Sequence, residues 1–246
     1  MDVSGMVLDE SVFTTLAFVA LSGTGERSFS FARKPGADTC LRREEVCKDV
    51  LEDCGILHVG SLSLTDEPAR SATLWAVEQA RARGGAVAYD PNYRASLWRD
   101  EESARKQMRS LVPMADYIKI SDEETELLTG HSSPREAARA LLEQGACCAA
   151  VTLGEEGALI AARDGMAVVP GCAAKWVVDT TGAGDAFWGA FLTQVAGSGL
   201  SPREVTLEKA AEFARFANAA ASLCIPPRGA IRAVASLAEV KERMEK

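Results

Sequence analysis

The chain has 246 residues, 47% hydrophobic and 25% charged, a composition that excludes a disordered polymer and supplies a packed core. Lys plus Arg total 27 against 35 Asp plus Glu, a formal charge of −8 with no dense basic run, so neither nucleic acid nor an anionic membrane is an expected partner. Every apolar run falls short of the roughly 18 residues of a membrane helix, and the N-terminus lacks the pattern of a secretory signal.

In chain order, Thr14–Leu21 and Ser28–Arg33 predict two strands of a hairpin around the polar turn Ser22–Arg27, with Phe29 and Phe31 on one face. The charged stretch Arg43–Asp53 predicts a helix, and Ile56–Leu62 an apolar strand holding His58 as a core imidazole. Thr65, followed by Asp66 and Glu67, predicts an N-cap opening a helix to about Arg83, stopped by Gly84-Gly85. Ala86–Tyr89 predicts a strand, Glu101–Leu111 a helix and Ala115–Ile120 a strand. Asp122–Leu128 predicts a short helix closed by Gly130, and Pro134–Gln144 another with Pro134 at its first position. Cys148–Leu153 predicts a strand, and Ala158–Ala162 and Ala167–Val169 a second hairpin around Arg163-Asp164-Gly165. Helical patterns near Ala186–Val195, Leu207–Leu223 and Leu237–Met244 complete the chain. Strands alternating with helices predict an α/β fold, a mostly parallel central sheet with helices on both faces. Residues 1–40 read as a small β lid and residues 41–246 as the main domain.

The seven cysteines, odd in number and without a C-x-x-C pair, suit a reducing cytoplasm and predict buried structural thiols. Cys40, Cys47 and Cys54 recur every seventh residue, but no histidine accompanies them at zinc-finger spacing. Trp75, Trp98, Trp176 and Trp188 are read as packing residues.

The stretch Asp179-Thr180-Thr181-Gly182-Ala183-Gly184-Asp185 carries chemistry. Its small residues allow close backbone approach, and the helix that opens there points free N–H groups and its positive end outward, which makes an anion hole. Asp185 in the first turn adds a proton acceptor, the pairing that phosphoryl transfer requires. No P-loop and no G-x-G-x-x-G occurs. Arg94 follows a strand's C-terminal end, where open α/β sheets place ligands.

Asp179 to Phe187 is similar to the signature of ribokinase-like (PfkB) carbohydrate kinases. Thr152-Leu153-Gly154-Glu155-Glu156-Gly157 resembles that family's nucleotide-phosphate loop, Ser121-Asp122-Glu123-Glu124 its N-x-x-E element, and Asn218 a nucleotide-contacting position. Gly25–Phe29, Arg33–Asp38, Asp90–Arg94 and Asp179–Phe191 are most similar to the fructokinase branch. The resemblance implies a ribokinase-like fold and an ATP-dependent sugar kinase with Asp185 as base and Gly182, Ala183 and Gly184 as the hole for the γ-phosphoryl group. It implies ATP contacts from Ser121, Thr152, Gly154, Gly157, Gly184 and Asn218, and substrate contacts from Arg33, Asp38, Arg94 and Asp185. Glu124 would act on Mg2+ through water, and Asp179 and Thr181, with carbonyls near Cys224, Pro227 and Gly229, would hold a monovalent cation, usually K+. A homodimer through the lid hairpin is also implied.

The sequence departs from the family at Ser121, where asparagine is usual, and at Pro226-Pro227, whose carbonyls can still coordinate. The family's first strands, early acidic sugar residue and G-G-x-x-x-N segment have no counterpart, so a longer natural frame or a partner that completes the sheet is expected. The alternative acceptor is a 2-keto-3-deoxy sugar acid, whose carboxylate Arg94 could pair. The reading from a different class is a catalytically silent nucleotide-binding assembly module.

Overall fold

A computed structural model describes residues 2–21, 27–174, 176–227 and 229–245. The chain forms two compact units, Met1–Ala115 and Asp116–Lys246. The N-terminal hairpin lies within the first of these units.

In the first unit, β1 (Leu16–Leu21) and β2 (Arg27–Ala32) pair antiparallel from Leu16↔Ala32 to Leu21↔Arg27. The Phe29 and Phe31 rings stack at 6.2 Å on one face, as alternation predicts. Of the predicted turn Ser22–Arg27, residues 22–26 lie outside the described residues and Arg27 begins β2. Beyond the hairpin come α1 (Lys48–Glu52), β3 (Ile56–Gly60), α2 (Ala69–Ala82), β4 (Ala86–Asp90) and α3 (Glu101–Leu111). β3 and β4 are parallel, with α2 as the crossover. Asp100 caps α3 by accepting from the Ser103 amide at 2.7 Å, so this helix has the predicted bounds.

Several expectations are corrected here. The predicted helix Arg43–Asp53 is broken: Arg43–Glu45 forms a 3-10 turn, Val46 and Cys47 are extended, and only Lys48–Glu52 is α-helical. The Glu45 carboxylate closes the short turn by accepting from the Arg42 amide at 2.7 Å. Thr65 does not cap α2. A residue before proline disfavours the helical region, so the helix cannot run through Glu67-Pro68 and begins at Ala69, while the Thr65 hydroxyl donates to the Leu62 carbonyl. His58 is exposed and not a core imidazole, because alternation along β3 turns Val59 inward instead. Cys40, Cys47 and Cys54 are only half-buried.

Arg33 ties the hairpin to this unit. Only 7% exposed, it donates from Nε to Asp38 Oδ2 (2.8 Å), from Nη1 to Thr65 Oγ1 (2.9 Å) and from Nη2 to the Leu62 carbonyl (2.7 Å). Its Nη2 also lies 2.6 Å from Asp38 Oδ2, and the Thr15 hydroxyl donates to Asp38 Oδ1. The clamp joins four separate stretches of chain. We expect Arg33→Met to cost about 2 kcal/mol in urea unfolding, the scale of charge-assisted hydrogen bonds at a partly buried site. Burial alone would raise the Asp38 carboxyl, but the Arg33 and Thr15 hydrogen bonds outweigh it and hold the group below its ordinary 3.8. A depressed carboxyl stabilises the fold above its unfolded value and loses that contribution as pH falls through the folded one. Unfolding midpoints of parent and Arg33→Met should therefore converge as pH drops below about 4.

The second unit contains β5 (Tyr117–Ser121), α4 (Thr125–Thr129), α5 (Pro134–Glu143), β6 (Cys148–Thr152), β7 (Gly157–Ala162), β8 (Gly165–Pro170), α6 (Ala183–Ser198), α7 (Leu207–Cys224) and α8 (Leu237–Met244). β5 and β6 are parallel; β6–β7 and β7–β8 are antiparallel. All six residues of β7 are buried. Since neighbouring side chains point to opposite faces, both faces of that strand are covered, with α5 and α7 packed against it. α6 packs on α7 through Phe191, which meets the Phe213 ring edge-on at 5.9 Å and stacks on Trp188 at 5.4 Å. Gly130, in the left-handed region at φ +85°, ends α4, and Pro134 opens α5. Trp176 departs from the packing expectation at 59% exposed. Cys147, Cys148 and Cys224 are buried, Cys172 is half-buried, and all seven cysteines are unbridged. Burial, with the Cys147 and Asp164 charges adding to it, pushes the Cys148 thiol up to about 12, so it is a packing group and not a nucleophile.

Candidate active site

In the second unit a cavity of about 700 Å³ is lined by the carboxyl end of β6, the following loop, the N-terminus of α6 and one side of α7. Thr152, Gly154 and Gly157 line it, as do Ala183, Gly184 and Asn218. Residues from three separate motifs therefore converge on one space.

The β6–β7 loop is a 3-10 turn, Gly154–Glu156, fastened by the Leu153 amide to the Gly157 carbonyl (2.8 Å) and the Gly171 amide to the Glu156 carbonyl (3.2 Å). Gly157 has φ +101°, and a Cβ there would lie 2.2 Å from the Val169 carbonyl oxygen, so only glycine closes this loop on β8. Asn218 is 6% exposed and its amide nitrogen donates to the Val169 (3.2 Å) and Pro170 (2.9 Å) carbonyls, which anchors α7 to β8 beside the cavity.

Gly182, at φ +82°, is the N-cap of α6. The Ala183 amide donates to the Thr180 carbonyl (3.2 Å) and the Ala186 amide to the Gly182 carbonyl (2.7 Å). The intervening amides of Gly184 and Asp185 have no acceptor within the helix, and Gly184 faces the cavity. This is a preorganised cradle for an anion. Asp185, next in sequence, is exposed in the first helical turn and not among the cavity walls.

Beside the cradle, Asp179 is 9% exposed and joins two loops: Oδ1 accepts from the Thr181 amide (2.9 Å) and Oδ2 from the Gly229 amide (3.1 Å). The Asp179 amide donates to the Ile225 carbonyl (3.0 Å), and the Cys224 thiol approaches the Thr181 carbonyl at 3.8 Å. Burial raises the Cys224 thiol, and the Asp185 and Asp179 charges act in the same direction, so both carboxylates project their field here. Exposed Pro227 and Gly229 belong to the same loop. Among the described residues no three His, Cys, Asp or Glu side chains cluster as a metal site.

Ser121 and Thr152 are register partners at the carboxyl ends of β5 and β6. Glu124, 7% exposed, accepts through Oε2 from the Ser121 amide (2.8 Å) and hydroxyl (3.1 Å), a capping box that fixes its carboxylate at the strand end. Neither residue lines the cavity.

The remaining predicted residues belong to the first unit. Arg94 follows β4, donates from Nη1 to the Tyr93 carbonyl (2.8 Å) and sets its guanidinium 5.4 Å from the Phe29 ring centre on β2. Arg33 and Asp38, read as substrate contacts, are occupied with each other and with the protein in the clamp described above. Sequence reasoning missed the apolar walls Val177, Phe187 and Ile225. It also missed Lys119, 6% exposed in β5, whose signal is one charge inside an otherwise apolar strand.

The profile of the pfkB family carbohydrate kinases matches residues 1–236. Fructokinase-1 of Zea mays is 39% identical over 246 residues, which is all of this chain and 75% of that protein. Among solved structures, a fructokinase double mutant from Vibrio cholerae O395 with fructose, ADP and potassium bound has TM-score 0.90 and 32% identity, covering 99% of this chain and 76% of that one. A fructokinase from Xylella fastidiosa with bound ATP has TM-score 0.87 and 30% identity, covering 98% and 76%.

Proposed function

The chain belongs to the pfkB family of carbohydrate kinases, and from that membership we propose that it is an ATP-dependent fructokinase that makes fructose 6-phosphate and ADP. The observation that carries the reading is the convergence of Gly184, Thr152, Gly157 and Asn218 on one cavity beside an exposed carboxylate. The relatives named fructokinase supply the acceptor.

In this reading the loop from Thr152 to Gly157 and Asn218 hold the nucleotide, with Ser121 at the neighbouring strand end. The free amides of Gly184 and Asp185, at the end of the Gly182–Gly184 turn, receive the γ-phosphoryl group. Asp185 accepts the proton of the sugar's primary hydroxyl as that oxygen bonds to the γ-phosphorus and the bond from phosphorus to the β–γ bridging oxygen breaks. The Arg33–Asp38 clamp sets the position of the hairpin. When bound, Mg2+ neutralises charge on the phosphates, and Glu124, held by Ser121, fits an ion contacted through water. The Vibrio structure binds potassium, and Asp179, Thr181, Cys224, Pro227 and Gly229 fit a K+ loop that braces the cradle. The exposed apolar side chains of β1, Leu16, Phe18 and Val19, support a homodimer through the hairpin. Unbridged cysteines support a cytoplasmic location, and among the described residues no helix is long and apolar enough to cross a membrane.

The test is ADP release by the purified chain with ATP and a panel of fructose, glucose and a 2-keto-3-deoxy sugar acid. We expect the highest kcat/KM with fructose; a higher value with the sugar acid overturns the acceptor assignment. Exchanging K+ for tetramethylammonium should lower turnover severalfold in the parent. It should change little in Asp179→Ala, which loses the bridge between residues 181 and 229 and has low activity in either salt.

A further inference from the structure

β5 reads Tyr117-Ile-Lys-Ile-Ser121, and its one charged side chain, Lys119, is 6% exposed. The strand pairs Lys119 with Ala150 and Ser121 with Thr152, so Lys119 starts two residues below the strand ends that frame the cavity. Its extended stem carries the ammonium up to the start of α6. A Cβ on Gly184 would lie 3.1 Å from Lys119 Nζ and 3.7 Å from Cε. The ammonium is thus packed against the cavity-lining glycine of the phosphate cradle, and the missing side chain at residue 184 leaves room for it.

This placement gathers positive charge at the turn. Burial penalises an ammonium, and the N-terminal end of α6 is itself positive. Asp185 offsets part of this, but it stands in solvent. Lys119 also has an interaction of its own within the protein, and its ammonium packs against Gly184. A terminal phosphoryl group seated on the Gly184 amide would lie in the field of both positive sources.

We infer that Lys119 is a positioning residue for phosphoryl transfer: its buried ammonium, 3.1 Å from where a Gly184 side chain would begin, places a fixed positive charge behind the γ-phosphoryl cradle. It acts through the turn, favours ATP over ADP, and favours the transition state further as charge spreads over the transferred group. The inference rests on the kinase reading above.

Lys119→Met keeps the length and apolar stem and removes the charge; Lys119→Arg keeps the charge. ADP and a non-hydrolysable ATP analogue are titrated into each variant by calorimetry, and fructose turnover is measured alongside. For Lys119→Met we expect ADP affinity within about threefold of the parent, analogue affinity down about tenfold and kcat down about 30-fold or more, with Lys119→Arg recovering much of each. A purely structural role weakens both nucleotides together and leaves their ratio unchanged, so an unchanged ratio overturns the inference. If Lys119→Met does not fold, Lys119→Gln and Gly184→Ala, which crowds the ammonium, are titrated in its place, and an unchanged ratio in both has the same force. A parent that prefers the ATP analogue but does not phosphorylate fructose defeats the acceptor assignment alone, and the binding ratio then still decides the role of Lys119.

Discussion

Asp185→Asn should fold normally, bind ADP as the parent does and turn over about 10³-fold more slowly, the scale of losing a positioned general base. Asparagine matches aspartate in shape, and the side chain is exposed in the first turn of α6, so no packing is lost. The missing charge at the helix N-terminus costs only about 0.5 kcal/mol of stability. The amides of the cradle are backbone groups and remain in place, and the nucleotide loop from Gly154 to Gly157 is untouched. In the proposed mechanism what disappears is the acceptor for the hydroxyl proton. The signature is therefore a fall in kcat with KM for ATP and fructose nearly unchanged. Steady-state kinetics with both substrates varied, beside ADP calorimetry, reads it. Turnover within about tenfold of the parent means another group takes the proton, a loss of under about 1.4 kcal/mol of barrier stabilisation. Equal losses in nucleotide affinity and kcat mean that Asp185 serves binding and not proton transfer.

The parts of this molecule legible in the sequence are those whose cause is local. Asp100 accepting from the Ser103 amide opens α3 where the acidic cap predicts it, and Gly130 at φ +85° ends α4 where a residue with a Cβ would be strained. The opening of α6 at Gly182, with φ +82°, was legible for the same reason, since Gly182, Ala183 and Gly184 announce close backbone approach by composition alone. Failures arise where a distant group decides. Thr65 has the chemistry of a cap, but its hydroxyl is committed to Leu62 and to Arg33 on the far side of the hairpin, and Pro68 delays the helix. His58 sits in an apolar run, yet its strand turns Val59 to the core and leaves the imidazole outside. Arg33 and Asp38 read as substrate contacts, and that they clamp the fold depends on contacts up to 32 residues away. Phe187 lies on α6 and Ile225 just past the end of α7, and only the packing of α6 on α7 brings them to one cavity.

Gly157→Ala should be among the most damaging single changes in the second unit, costing about 3–5 kcal/mol, while Gly154→Ala three residues earlier should cost about 1 kcal/mol. Both glycines have positive φ, +60° at Gly154 and +101° at Gly157, so both substitutions strain the backbone. They differ in what a Cβ would meet. At Gly154 nothing lies within 4 Å; at Gly157 the Val169 carbonyl oxygen is 2.2 Å away, the Gly171 amide nitrogen 2.4 Å and the Pro170 carbonyl carbon 2.6 Å. These are backbone atoms of β8 and the residue after it, and they cannot swing aside as a flexible side chain can. Relief requires the β7–β8 pairing to open at Gly157↔Pro170, which also frees the carbonyls that hold Asn218. Against a typical margin of about 5–15 kcal/mol, the Gly157 change removes a large fraction of stability, and a thermal midpoint lower by on the order of 10 °C is expected. Because the same movement drags the loop from Leu153 to Glu156, nucleotide affinity should fall in Gly157→Ala even where the protein remains folded, and stay close to the parent in Gly154→Ala. Thermal unfolding of both variants with and without ADP separates the two causes: equal losses at the two positions would assign the cost to backbone strain, whereas a large excess at Gly157 assigns it to the close approach of β8 that shapes the cavity.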